Sequence, residues 1–122
     1  MNKTILGALV FFACAPAFAA GADCDRTLEQ LKIQMNVASS NIANAETTRT
    51  PEGGAYRRKS VYCGDEGCEI QDVAKFRYRS IPGHPDANAD GYVEFPDVNV
   101  MTEMSTLIGL QTSYDQFAKL CR

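Results

Sequence analysis

CDRTLEQLKIQMNVASSNIANA, residues 24–45, places Cys24, Leu28, Leu31, Met35, Ala38, Ile42 and Ala45 at unbroken steps of four and three. That spacing is the seam of a helix that packs lengthwise on another helix. Asp23 or Asp25 can cap its start. The run Thr47-Thr48-Arg49-Thr50-Pro51-Glu52-Gly53-Gly54 closes it, because proline and paired glycines do not continue a helix. The first helix is therefore expected over about Asp25–Ala45. A partner seam lies at the other end of the chain, where Val100, Met104, Leu107, Leu110, Tyr114, Phe117 and Cys121 recur at three or four residues, with Asp97 or Asn99 available as the cap. A second helix over 99–120 follows. Each seam runs roughly 32 Å at 1.5 Å per residue, so the two are matched in length.

Between them, residues 55–96 are rich in Tyr, Val, Phe and Ile scattered among charges. The turn Cys63-Gly64-Asp65-Glu66-Gly67-Cys68 marks a hairpin with two or three short antiparallel strands around it. Ile81 to Gly91, with Pro82, Pro85 and several Asp, Asn and Gly residues, reads as a structured loop. The expected fold class is α+β: an antiparallel pair of terminal helices with a small antiparallel β-domain inserted.

The chain has 122 residues, enough for one domain over residues 23–122. Its first 22 residues read as a secretory signal peptide: Lys3, an apolar stretch from Thr4 to Ala20, and the small-residue pattern Ala17-Phe18-Ala19 as a cleavage site. Cleavage after Ala19 or Ala22 leaves no stable membrane insertion and makes the periplasm the expected location. Of the five cysteines, removal of Cys14 leaves Cys24, Cys63, Cys68 and Cys121 in an oxidising compartment, where two disulfides are the default. Antiparallel helices put Cys24 beside Cys121, and Cys63 then pairs with Cys68 across the hairpin. This is one of three connectivities open to four cysteines.

A family resemblance enters at two places. Met35-Asn-Val-Ala-Ser-Ser-Asn-Ile-Ala-Asn-Ala-Glu-Thr-Thr-Arg-Thr-Pro51 resembles the element with which flagellar axial proteins close their N-terminal helix, and Gly53-Gly-Ala-Tyr-Arg-Arg-Lys59 is similar to its continuation in the proximal-rod FlgC family. Residues 82–114, with Pro-Gly-His-Pro-Asp-Ala-Asn-Ala-Asp-Gly-Tyr-Val and Pro-Asp-Val-Asn-Val-Met-Thr-Glu-Met, resemble the same family's loop and the start of its C-terminal helix.

The resemblance implies a structural component of the flagellar basal body that acts in motility. Its partners would be other rod or basal-body subunits, met through helices that pack on neighbours. Carried over by position, the implied assembly residues are Ser40, Asn41, Ile42, Ala43, Asn44, Tyr56, Asn99, Glu103 and Tyr114. The chain departs from the pattern in its secretory leader, its cysteines, Thr112 where an arginine is usual, and family members' continuation beyond both helix ends. Those departures define an alternative: a periplasmic, monomeric derivative that binds the rod or another partner without polymerising.

Other chemistries find less support. Asp86, Asn88, Asp90, Gly91, Glu94 and Asp97 occupy positions 1, 3, 5, 6, 9 and 12 of a calcium loop, with Val93 at the apolar eighth place. Pro82 and Pro85 forbid an entering helix, and Asp replaces the bidentate Glu at the last position, so a plain Asx-turn loop is the favoured reading and a calcium-binding module ranks third. His84, the single histidine, sits between Gly83 and Pro85 with no nucleophile and orienting acid at a recognisable spacing. Cysteines this irregularly spaced favour disulfides over zinc, and Cys63 and Cys68 lack the two-residue spacing of a redox pair. No enzyme and no cofactor are expected. A net charge of −3 with basic residues interleaved among strand residues argues against nucleic acid.

Overall fold

The computed structural model describes residues 17–121, with side chains from Asp23 onward; most of the expected leader lies outside the described residues. Helix α1 spans Ala17–Ala43, strands β1 Arg58–Gly64, β2 Gly67–Val73, β3 Phe76–Ser80 and β4 Tyr92–Pro96 follow, and helix α2 spans Val100–Leu120. The architecture is α+β, with two helices flanking two antiparallel hairpins, β1–β2 and β3–β4.

α1 starts earlier than its seam suggests. Ala17-Phe18-Ala19-Ala20 and Ala22 have strong helix propensity taken together, so Asp23 and Asp25 lie inside the helix and cap nothing. It ends at Ala43, where the chain tightens through Asn44 N–H to Ser40 O (3.0 Å) and Ala45 N–H to Ile42 O (3.3 Å). The two helices thus differ in length, 27 residues against 21.

The seams also shift. In α1 the buried positions are Val37, Ala38 and Asn41, with Ala45 in the following turn, while Ile42 is half-buried. Asn41 is turned inward by its pairing with both backbone groups of Lys59 at the start of β1. In α2, Leu107, Leu110, Tyr114 and Cys121 face α1 half-buried, but Val100, Met104 and Phe117 are exposed and no residue is fully buried. Half-buried Glu103 takes the inward place at the start of the helix instead.

Cys63 and Cys68 face each other directly in the β1–β2 register, with Cα atoms 4.0 Å apart and the sulfurs bonded. Gln30 Nε2 donates to Gly64 O (2.8 Å) and fastens the hairpin tip to α1. Nearer the start of α1, Cys24 and Cys121 are bonded with Cα atoms 5.8 Å apart.

The fourth strand, β4, pairs with β3 across the loop of residues 81–91, and its partner is too distant in sequence for short-range hairpin signals to find. The loop folds on itself through Ile81 N–H to Gly91 O (2.9 Å) and Asn88 N–H to Tyr92 O (2.8 Å). Gly91 takes a positive φ of 82°, and an added Cβ would press on the Pro82 ring at 3.4 Å. Val93 and Phe95 point inward from β4 and join Val37, Ala38, Ala45, Ala55, Tyr56 and Val98 in a small core.

Candidate assembly site

All but Tyr114 of the nine assembly residues singled out in the sequence lie where the end of α1 meets the starts of β1 and α2. Asn41 is 1% exposed and occupies the centre. Its Nδ2 donates to Lys59 O (2.9 Å) and approaches Glu103 Oε1 at 3.5 Å. Its Oδ1 accepts from Lys59 N–H (2.8 Å) and from the Tyr56 hydroxyl (2.9 Å). The carboxamide thus pairs with both backbone groups of Lys59, as a neighbouring strand would, and a helix side chain completes the edge of β1.

Around that centre each polar group has a partner. The Ser40 and Tyr56 hydroxyls lie 3.1 Å apart. Asn44 Nδ2 donates to Ser40 O (2.9 Å), and Asn44 Oδ1 accepts from the Thr47 hydroxyl (3.2 Å), so Asn44 closes α1 where its last carbonyls lack helical donors. Tyr56 N–H returns to Thr47 O (3.1 Å). Asn99 caps α2, its Oδ1 accepting from Thr102 N–H (3.2 Å). Glu103, beside the cap, lies 3.9 Å from Arg58 Nη1.

Tyr114 sits further along α2, with Lys32 Nζ 5.8 Å from its ring centre across the helix pair. Ile42 is half-buried and Ala43 exposed. Seven of the nine residues, Ser40, Asn41, Asn44, Tyr56, Asn99, Glu103 and Tyr114, therefore make contacts within the subunit.

The acidic loop spreads its oxygens over the protein's own donors. Asp86 accepts from Arg49 Nε (2.8 Å) and the Thr48 hydroxyl (2.7 Å), and Asn88 Oδ1 accepts from the Asp90 and Tyr92 amides (3.0 Å each). Glu94 stands on β4 with its Oε2 3.3 Å from the Tyr78 hydroxyl, and Asp97 pairs with Lys75 at 3.7 Å. Among the described residues no three His, Cys, Asp or Glu side chains converge as metal ligands would. His84 is a turn residue whose Nδ1 accepts from Asp86 N–H (3.0 Å).

The hydrogen bond from Thr48, and then the one from Arg49, lowers the pKa of Asp86 below the usual carboxylate range. A depressed pKa stabilises the fold above the unfolded-state value, and that contribution is lost as pH falls through the folded one. Urea titrations at descending pH, from about 5 downwards, should therefore show wild type losing stability faster than Asp86→Asn. Parallel curves would remove this latch from the acid response.

The same segments carry likeness to known proteins. Residues 26–49 match the family model described as "Flagella basal body rod protein", and residues 89–121 match "Flagellar basal body rod FlgEFG protein C-terminal". The "Flagellar basal-body rod protein FlgC" of Agrobacterium fabrum is 32% identical over 120 residues, covering 88% of this chain and 86% of the relative. The protein of that name from Salmonella typhimurium is 33% identical, covering 66% and 69%, and that from Bacillus subtilis is 30% identical, covering 69% and 75%.

Proposed function

Because this chain belongs to the FlgC family of flagellar basal-body rod proteins and is a structural component of the basal body that acts in motility, we propose that it joins its neighbours through one face of α2. The observation that carries this reading is an apolar stripe on that helix. Val100, Met101, Met104 and Ile108 are 36%, 74%, 46% and 66% exposed, on a helix with no fully buried residue. Large apolar side chains grouped on one exposed face mark an interaction surface. The signature residues play a supporting part: Asn41, Tyr56, Asn99 and Glu103 fix the angle at which α2 leaves the β-domain, and so the direction in which the stripe points.

Met104→Lys combined with Ile108→Lys tests this. Both side chains are exposed, so each change should alter stability by no more than about 0.5 kcal/mol. Incorporation into purified basal bodies and swimming should be lost in a strain carrying only this copy. Normal incorporation would exclude the stripe as the contact.

The secretory leader and the cysteines support export to the periplasm before assembly, with a mature chain beginning near Ala20 or Asp23. Mass spectrometry of the protein from basal bodies decides this; an intact Met1 would sink it. A second reading, a monomeric derivative that binds the rod without polymerising, rests on the Cys24–Cys121 bond, which fixes the open end of the helix pair within one subunit. Sedimentation of the oxidised protein separates the two readings.

A further inference from the structure

The β3–β4 hairpin carries a cleft that none of the assembly contacts uses. It has a volume of about 290 Å³ and is lined by Arg49, Gly54, Tyr78, Asn88, Tyr92 and Glu94 among others. Tyr78 and Tyr92 are 59% and 46% exposed. In the β3–β4 register Tyr78 faces Glu94 and Tyr92 faces Ser80, so the tyrosines are diagonal neighbours on one face of the hairpin, roughly 7–8 Å apart. Gly54 keeps the floor open, since an added Cβ would stand 3.5 Å from Glu94 Oε1.

We propose that this cleft binds a neutral oligosaccharide of two or more rings. Three properties of the lining select that chemistry. Tyrosine rings offer flat apolar faces with a polar tip, suited to the C–H face of a sugar ring with its hydroxyls at the rim. Among the described residues, Arg49 Nη1, Asn88 Nδ2, Glu94 Oε1 and the Tyr92 hydroxyl hold no hydrogen bond, which supplies donors and acceptors together. Asp86 pairs with Arg49 and leaves Glu94 as the net charge, so a polyanion would meet like charge. An extended peptide is disfavoured because Tyr92 N–H is taken by Asn88 Oδ1 and Tyr92 O by Asn88 N–H, which blocks strand addition at this end of β4. The spacing of the tyrosines exceeds the width of one ring, which sets the minimum length.

The test uses the full oxidised protein and two tetrasaccharides, one of β-1,4-linked N-acetylglucosamine and one of β-1,4-linked glucose, followed by amide chemical shifts. The expected result is saturable binding by at least one of them at up to about 10 mM, with shifts centred on Gly54, Tyr78, Asn88 and Tyr92. Tyr78→Ala with Tyr92→Ala should weaken it roughly tenfold or more, while Tyr92→Phe, which keeps the ring and loses only the hydroxyl, should weaken it far less, by no more than about threefold. Tighter binding of the amino sugar would identify acetamido groups as part of the recognised surface. No saturable shift with either sugar, shifts centred elsewhere, or unchanged binding in the double alanine variant would overturn the site. Shift mapping on the wild type stands without any variant.

Discussion

Replacing Cys24 and Cys121 together by serine is expected to lower the unfolding free energy by about 3–5 kcal/mol, because the bond closes a loop with a sequence separation of 97. The bond has unusual weight here because the core is small. No residue of α2 is fully buried, and Leu120 is 80% exposed beside the bonded Cys121. Without the bond, the last turn of α2 has few apolar contacts to hold it against fraying, and amide hydrogen exchange should rise first there and around Cys24. Denaturant unfolding of oxidised wild type against the double variant measures the loss. A change below about 1 kcal/mol would show that helix packing alone secures this end.

Cys63→Ser with Cys68→Ser should cost less. The loop it closes is only five residues in separation, and Gln30 still holds the tip to α1.

Asn41→Ala should destabilise by about 2–4 kcal/mol, the range expected when a buried group with several partners is removed and those partners are stranded. The variant leaves Lys59 N–H and C=O without their partner and deprives the Tyr56 hydroxyl of one acceptor, in a place water does not reach. Asn41→Asp separates hydrogen bonding from shape. It keeps an acceptor for Lys59 N–H and Tyr56 but loses the donor to Lys59 O, and it sets a second carboxylate beside Glu103. Its deficit should therefore be larger at neutral pH than in acid, where the new carboxyl can be protonated and donate. Equal deficits at both pH values would contradict this account. Loss of incorporation into basal bodies by Asn41→Ala at a temperature where it is still folded would tie the junction to assembly as well as to stability.

The helical period of residues 24–45 and 100–121, the turn at Gly64–Gly67 and the glycine and proline stops at 51–54 are local signals, and each is encoded within a dozen neighbouring residues. They suffice for two helices and an intervening β-region; the likeness to flagellar rod proteins rests instead on the motifs of residues 35–59 and 82–114. The sequence also marked Ser40, Asn41, Asn44, Tyr56, Asn99 and Glu103, though not what they touch.

Tertiary structure decided the rest. Ile42 and Asn41 are adjacent on one helix, and a rotation of a few tens of degrees chooses which is buried; that rotation is set by Lys59 offering both backbone groups to a carboxamide, a long-range match no periodicity reports. The same holds for α2, where Glu103 faces inward towards Arg58 and Asn41 while Met104 is left exposed. The start of α1 went the other way, because the helix propensity of its alanines outweighed the capping preference of Asp23 and Asp25. β4 was hidden because its partner lies across the loop of residues 81–91, and strand pairing at that distance is fixed by what Val93 and Phe95 bury, not by the turn that precedes them.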